Sequence, residues 1–149
     1  MMAADEGAAI LETNNDGPKI PDVKKTKFDV IIIGAGPAGY TAGIYCSRAG
    51  YDTLILSGIL PGGQLVNTTE VENYPGFENG IMGPDLMIDM RKQSQRMGTT
   101  IIDDVAVDVD FRRAPYKVLT GSEEYEGRAV IIATGANPRK MGISGEEEF

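Results

Sequence analysis

Short apolar runs alternate with glycine-rich turns in the first half of the chain. Residues 28–33 form a nearly continuous run of mostly β-branched residues, which is typical of a strand buried on both faces. Gly34 interrupts this run, and small, helix-compatible residues follow from Pro37 to Ala49 before Gly50, a natural helix stop. A second apolar run covers 53–56. This order predicts a strand, a glycine turn, a helix and a parallel strand.

The pattern changes in the second half of the chain. Residues 57–80 are rich in glycine and proline and have no clear period, which predicts a long loop of the kind that usually carries function. Residues 84–97 predict a helix with Leu86, Met90 and Met97 on one face. Turn residues then separate apolar segments that predict short strands at 100–110, 116–120 and 124–125 and a buried strand at 128–133.

Composition narrows the chemistry that the chain can support. The 149 residues suffice for one domain, and the first 27 have no persistent period and predict a flexible tail. The net charge of −8 and the lack of a basic, aromatic-rich patch argue against nucleic acid. No apolar run approaches the roughly 20 residues that cross a bilayer, and no signal peptide is recognisable. We therefore expect a cytoplasmic protein that is not bound to a membrane.

The chain has no histidine and one cysteine, Cys46. A zinc site built from cysteine and histidine is excluded, as are a Ser-His or Cys-His nucleophile pair and any disulfide within the chain. No metal site and no catalytic residue is predicted. Cys46 lies inside the first predicted helix and is interpreted as a small core residue.

The first glycine turn has the spacing of a dinucleotide-binding motif. Gly34, Gly36 and Gly39 enclose Pro37 and Ala38, and they follow a predicted strand and open a predicted helix. Gly34 would permit the tight turn, Gly36 the approach of a pyrophosphate to the backbone, and Gly39 the close packing of helix on strand. The helix N-terminus would then hold the phosphates. The alternative is an ordinary turn that needs glycine for steric reasons.

The acidic residue that usually follows the second strand of such a fold is absent. Ser57 occupies that position and precedes Gly58, and neither Asp52 nor Glu70 is at the strand end. The hydroxyl of Ser57 can bind a ribose, but more weakly than a carboxylate. The sequence therefore points away from a plain NAD-binding domain.

Four separated motifs resemble those of the low-molecular-weight thioredoxin reductases, in the pyridine nucleotide-disulfide oxidoreductase family. They are GGQL at 62–65, TTEVENYPGF at 68–77, GIMGPDLM at 80–87 and VIIATGA at 130–136. The ending GISGEEEF at 142–149 is also similar. The resemblance implies an α/β fold: a three-layer, Rossmann-like (ββα) FAD-binding domain with a parallel sheet and a small antiparallel β-meander, incomplete relative to the family. It places this domain at 28–140 and a crossover toward an NADPH domain at 141–149.

The resemblance also implies which residues contact FAD. Gln64 would hydrogen-bond the flavin ring and Asn73 would reach the isoalloxazine edge. Their amides carry donors and acceptors that suit such a ring, although amides in a loop also bond to the loop itself. Backbone near Val105 and Ala106 would meet the adenine. The full set of predicted cofactor contacts is Gly34, Gly36, Pro37, Ala38, Gly39, Ser57, Gly58, Gly62, Gly63, Gln64, Leu65, Asn73, Val105, Ala106, Ala133, Thr134 and Gly135.

Intact members of the family use NADPH, FAD and a pair of cysteines two residues apart to reduce thioredoxin. These 149 residues hold neither a second glycine motif nor a cysteine pair, so we expect the chain alone to be catalytically incomplete. We expect a homodimer or a second chain that supplies the missing segments. Two alternatives stay open: a non-catalytic flavin-binding module or split subunit, and a thioredoxin-reductase-like ferredoxin–NADP reductase.

Overall fold

A computed structural model of the chain describes residues 25–137, 139 and 141–146. The predicted tail therefore lies outside the described residues except for its last three, and Lys27 already belongs to the first strand. The helices and strands, with a 3-10 helix at Gly63–Asn67, are β1 Lys27–Ile33, α1 Pro37–Arg48, β2 Thr53–Leu56, β3 Glu70–Val71, β4 Ile81–Met82, α2 Gly83–Arg96, β5 Thr100–Ile102, β6 Asp108–Asp110, β7 Tyr116–Leu119 and β8 Glu124–Ile132.

Six strands form the main sheet in the order β5-β2-β1-β8-β7-β6. The first four run parallel, and β6 and β7 continue from β8 as an antiparallel meander. The strands β3 and β4 pair separately. The predicted class, an α/β fold with a parallel sheet and an antiparallel meander, is confirmed. Because β1, β2, β5 and β8 are parallel, their carboxyl ends meet at one edge of the sheet.

Alternation along β1 divides the core into two halves. Val30 and Ile32 pack on the helix side with Tyr40 of α1 and Leu86 of α2. The other face of the sheet carries Ile31, which packs with Leu54 of β2 and with Val118 and Tyr125 of the meander. Because successive side chains of a strand point to opposite faces, one apolar run supplies both halves. Helices, parallel sheet and meander thus form the three predicted layers.

The strands β1 and β2 and both helices were predicted correctly to within one or two residues. α1 ends at Arg48, one residue before the predicted end, and α2 covers Gly83–Arg96 with Met97 as its C-cap. Met97 is half-buried, and the apolar face of α2 is completed instead by Met87, which is 3% exposed.

Three predicted boundaries were wrong. The segment 100–110 is two strands, β5 at one edge of the sheet and β6 at the other, and residues 103–107 between them belong to no strand. The two segments predicted around 124–133 are one strand, β8, whose C-terminal half is not buried: Arg128 is exposed and Ile132 is 65% exposed. The predicted loop 57–80 holds the 3-10 helix and β3. Pairings between distant segments set these boundaries, and local apolar patterns do not contain that information.

Candidate functional site

A cavity of about 630 Å³ opens at the sheet edge where β1, β2 and β8 end. The N-terminus of α1 and the loop after β2 form its other walls. Most of the residues predicted to contact the cofactor line it, and these are Gly34, Gly36, Pro37, Ala38, Ser57, Gly58, Gly63, Gln64, Leu65, Val105, Ala106, Ala133, Thr134 and Gly135. The fold therefore gathers segments that lie up to a hundred residues apart in the sequence.

Two glycines of the first turn are required by packing. Gly34 has a φ of +109°, and a Cβ atom there would lie 2.3 Å from the carbonyl oxygen of Ala133 at the end of β8. A Cβ atom on Gly39 would lie 2.0 Å from the carbonyl oxygen of Gly34. Both contacts are shorter than non-bonded atoms allow, so Gly34 joins two strand ends and Gly39 lets α1 approach β1.

Gly36 differs from both, because no other residue that the structure describes fills the space beside it. Its φ of −88° suits any residue, and a Cβ atom would meet only the carbonyl oxygen of Gly62, at 3.9 Å. The empty space at Gly36 is the cavity. The packing of the protein therefore does not require a glycine at this position, whereas a ligand that approaches the backbone would require one.

The N-terminus of α1 supplies hydrogen-bond donors to this space. The first bond of the helix runs from the Tyr40 amide to the Gly36 carbonyl oxygen, at 3.0 Å. The amide groups before Tyr40 therefore have no partner within the helix. Among the described residues no side chain caps this terminus, and Pro37 occupies the first helical position. Unpaired amides and the positive end of the helix dipole make the terminus suited to an anion.

A second glycine turn, at Gly62 and Gly63, packs against the first at the wall of the cavity. The Gly62 amide donates to the Ala35 carbonyl oxygen at 2.7 Å, which fixes the two turns to each other. A Cβ atom on Gly63 would lie 3.6 Å from the Cα atom of Gly36, so the backbones are close. Gln64 follows at the mouth of the cavity, where its Nε2 donates to Oδ1 of Asn137 at 3.1 Å.

Three predicted contact residues do not line the cavity. Gly39 is buried beneath the turn. Gly62 has a φ of +98°, and a Cβ atom there would lie 2.4 Å from the side chain of Val66. This glycine is therefore required by the conformation and packing of the turn. Asn73 is exposed in a separate hollow lined by residues 72–78. Contact of Asn73 with a flavin stays a prediction.

The end of β2 has an acidic neighbour that the sequence analysis missed. The Ser57 hydroxyl donates to Oδ1 of Asp103 at 2.8 Å, and Arg91 of α2 donates to both carboxylate oxygens of Asp103 at 2.9 Å. Asp52 lies at the other end of β2, where its amide donates to Asp29. Asp103 is the first residue after β5, the strand beside β2. Only this strand order, which the sequence did not reveal, could have identified it.

Charge and hydrogen bonding set the ionisation of this pair. The hydrogen bond from Arg91 is the main reason why the pKa of Asp103 lies below its usual value, and the hydrogen bond from Ser57 lowers that pKa further. In turn, the hydrogen bond to Asp103 raises the pKa of Arg91. Asp103 is therefore a carboxylate, and Ser57 is held beside a negative charge.

Asn137 is a second residue that the sequence analysis missed. It lines the cavity and accepts the hydrogen bond from Gln64, although 73 positions separate the two residues. The amide of Val105, predicted to meet an adenine, donates to the Asp104 carboxylate at 2.7 Å. At Val105, the side chain and carbonyl group thus remain for a ligand.

Other candidate chemistry has little support in the described part of the chain. Cys46 is half-buried against the helix-side core, and burial raises the pKa of its thiol. Within residues 25–137, 139 and 141–146, no group of acidic and cysteine side chains could hold a metal ion. Neither α1 nor α2 has the length and apolar character that a membrane crossing requires.

Known proteins share this arrangement. A thioredoxin reductase of Rickettsia bellii is 51% identical over 126 residues, which are 84% of this chain and 41% of that protein. The thioredoxin reductase of Listeria monocytogenes is 53% identical over 124 residues, 82% of this chain and 38% of the relative. The chain thus spans about two-fifths of the length of these relatives.

Solved structures agree with the sequence comparison. The thioredoxin reductase from Giardia duodenalis superposes with a TM-score of 0.76 at 38% identity, over 83% of this chain and 40% of that one. The Lactococcus lactis thioredoxin reductase gives a TM-score of 0.74 at 44% identity, over 81% of this chain and 40% of the other. Residues 28–149 match the family described as pyridine nucleotide-disulphide oxidoreductase. The glycine turns, the cavity between them and these matches together show that the chain belongs to the pyridine nucleotide-disulphide oxidoreductase family.

Proposed function

We propose that this chain binds FAD in the cavity between its two glycine turns. The single observation that carries the proposal is the open space beside Gly36. A glycine that packing does not require stands at a helix N-terminus with unpaired amides, and it faces a second glycine turn. This is the arrangement that a pyrophosphate needs in order to approach the backbone.

The cavity suits FAD in size and in character. A volume of about 630 Å³ lies within the range of roughly 300–1,000 Å³ usual for small-molecule sites. Among the described residues, those that line the cavity carry no charged side chain. The backbone amides and the dipole of α1 would therefore bind the diphosphate without help from lysine or arginine.

Each part of the cofactor has a proposed set of partners. The amides of Gly36 and Ala38 hold the pyrophosphate. Ser57 faces the adenosine ribose, and the adenine lies against Val105 and Ala106. The predicted partners of the flavin ring that line the cavity are Gly63 and Gln64, and Asn73 is predicted to reach the ring from its separate hollow. The turn Ala133, Thr134 and Gly135 passes close to the cofactor. When bound, FAD supplies two-electron redox chemistry; the residues of this chain bind and orient it.

Thioredoxin reduction with NADPH is proposed for the whole protein to which this sequence corresponds. Such a reaction needs a nucleotide site for the hydride donor and a redox pair of cysteines. The 149 residues hold one cysteine, Cys46, and burial disfavours the ionisation of its thiol. We therefore propose that electrons reach a disulfide through residues outside these 149, in the same chain or in a second one.

Exposed apolar side chains near the cavity support a proposal of assembly. Ile59 is 88% exposed and Ile132 is 65% exposed, and both lie where strands of the parallel sheet end. Covering such side chains is favourable by about 25 cal/mol per Å². We expect a homodimer or a complex with a second chain, and light scattering that finds only a monodisperse monomer would contradict this expectation.

Retention of FAD tests the main proposal. The chain is mixed with excess FAD, passed through a desalting column, and examined for flavin absorbance in the protein fraction. We expect a yellow protein that releases FAD on denaturation. Riboflavin, which has no diphosphate, is the matched control and should be lost on the column. A colourless protein after incubation with FAD would refute the proposal.

A further inference from the structure

The end of β2 is held more firmly than a simple strand end. The Ser57 amide donates to the Ile102 carbonyl oxygen and the Gly58 amide to the Asp104 carbonyl oxygen, both at 3.0 Å. These bonds extend the pairing of β2 with β5 beyond the ladder. Ser57 is 4% exposed and still lines the cavity. Its hydroxyl is therefore fixed at the cavity wall, next to the loop that follows β5.

The hydrogen atom of the Ser57 hydroxyl is already engaged in a hydrogen bond. It points to Oδ1 of Asp103, which Arg91 in turn holds with two parallel hydrogen bonds. A hydroxyl that donates its hydrogen keeps two lone pairs. A ligand hydroxyl in the cavity can therefore donate to Ser57, whereas a ligand group that only accepts hydrogen bonds finds no donor there.

We propose that Arg91 and Asp103 are positioning residues that turn Ser57 into a hydrogen-bond acceptor for a ribose hydroxyl of the adenosine moiety. This inference rests on the proposed binding of FAD. The carboxylate that such folds usually place at this strand end would bind the ribose directly. Here the negative charge stands one strand further away, at the end of β5, and acts through the serine.

Arg91, Asp103 and Ser57 thus form a hydrogen-bond relay to the ribose. Two physical effects would strengthen ribose binding through this relay. Donation to a carboxylate polarises the Ser57 hydroxyl and strengthens the bond that its oxygen accepts. The bidentate pair with Arg91 fixes the carboxylate, so Ser57 does not rotate its hydroxyl toward the ligand. The weak alternative acceptor, the Gly58 carbonyl oxygen at 3.5 Å, does not compete with Asp103 at 2.8 Å.

The test compares ligands that differ in one hydroxyl. The full chain is titrated with FAD, ADP, 2′-deoxy-ADP and 3′-deoxy-ADP, and the same titrations are made with Ser57→Ala and Asp103→Asn. Asp89→Asn is the matched control, because it removes the same charge from an exposed position on the helix that carries Arg91. Urea unfolding of each variant checks that it is folded.

The wild-type chain should bind ADP about tenfold more tightly than one of the two deoxy forms, as expected for the loss of one charge-assisted hydrogen bond. Ser57→Ala should reduce this ratio to about one, because it removes the acceptor. Asp103→Asn should lower the ratio roughly fivefold while the oxygen of Ser57 remains. Binding of the disfavoured deoxy form should not change.

A purely structural role of Asp103 would weaken ADP and both deoxy forms equally, and an unchanged ratio in either variant overturns the inference. If the wild-type chain binds neither FAD nor ADP, the proposed function fails together with the relay. If it binds FAD and either Ser57→Ala or Asp103→Asn keeps the ratio, the relay alone fails. Should Ser57→Ala not fold, Asp103→Asn decides the outcome, because the Asp103 side chain is 56% exposed.

Discussion

Gly36→Val is the substitution that separates a ligand-binding role of the first turn from a structural one. The backbone angles of Gly36, φ −88° and ψ −169°, lie in the extended region. Residues before proline favour this region, and β-branched residues adopt it readily. The carbonyl oxygen of Gly62, at 3.9 Å, is the one described atom within 4 Å of the new Cβ atom. The valine side chain would extend into the cavity, where the pyrophosphate is proposed to lie.

The structure gives different magnitudes for folding and for binding. Replacing an N-cap glycine with an apolar residue costs about 0.5–1 kcal/mol, and the lower entropy of the unfolded chain offsets roughly 0.4–1 kcal/mol. The free energy of unfolding should thus change by less than about 1 kcal/mol. If the side chain displaces the phosphates from two amides, each charge-assisted bond is worth roughly 1.5–3 kcal/mol. The Kd for FAD should then rise about 10²- to 10⁴-fold.

Two measurements check this prediction: urea unfolding of the chain without ligand, and the Kd for FAD from quenching of flavin fluorescence. Gly121→Ala is the control, because Gly121 is exposed in a turn with no described atom within 4 Å of a new Cβ atom. It should change neither quantity measurably. A Gly36→Val chain that is fully stable and binds FAD as tightly as the wild type would refute the reasoning.

Three further predictions concern the scaffold around the site. Gly39→Ala places a Cβ atom 2.0 Å from a carbonyl oxygen, so it should destabilise the fold by about 1–3 kcal/mol or more in urea unfolding. Leu86→Ala empties a site that is 2% exposed and should cost about 2–5 kcal/mol by the same measurement, whereas Ile88→Ala, at 49% exposure on the same helix, should cost less than about 1 kcal/mol. The hydrogen bond from Arg91 holds the pKa of Asp103 below its usual value, so its ionised form stabilises the fold above the unfolded pKa of about 3.9 and loses this contribution as pH falls through the lower, folded pKa. The stability difference between the wild type and Asp103→Asn should therefore be present at pH 7 and disappear in strong acid.

Local sequence determined the elements that lie nearest the proposed phosphate site. An apolar run, three glycines at fixed spacing and a stretch of small residues predicted β1, the turn and α1, because each property acts over a few residues. The boundaries of β5, β6 and β8 were not predictable in this way. Strand pairing depends on partners that are distant in the sequence. The exposure of the end of β8 likewise depends on which distant segments do or do not pack against it.

The candidate site divides along the same line. Gly34, Gly36 and Gly39 are recognisable in the sequence, but their different roles are not. Only the folded backbone shows that a side chain would collide at Gly34 and Gly39 and would meet open space at Gly36. The position of a neighbouring carbonyl group decides between packing and ligand binding, and that position is a property of the tertiary structure.

The sequence by itself determined the family resemblance, the central strand–turn–helix unit and the absence of a second cysteine. The tertiary structure decided which charged residue lies beside the end of β2. Asp52 and Glu70 are nearer to Ser57 in the sequence, whereas Asp103, 46 positions away, is the residue that accepts its hydrogen bond. The physical reason is that parallel strands bring their carboxyl ends together at one edge, so the order of strands in the sheet, and not the order of residues in the chain, selects the neighbours of the site.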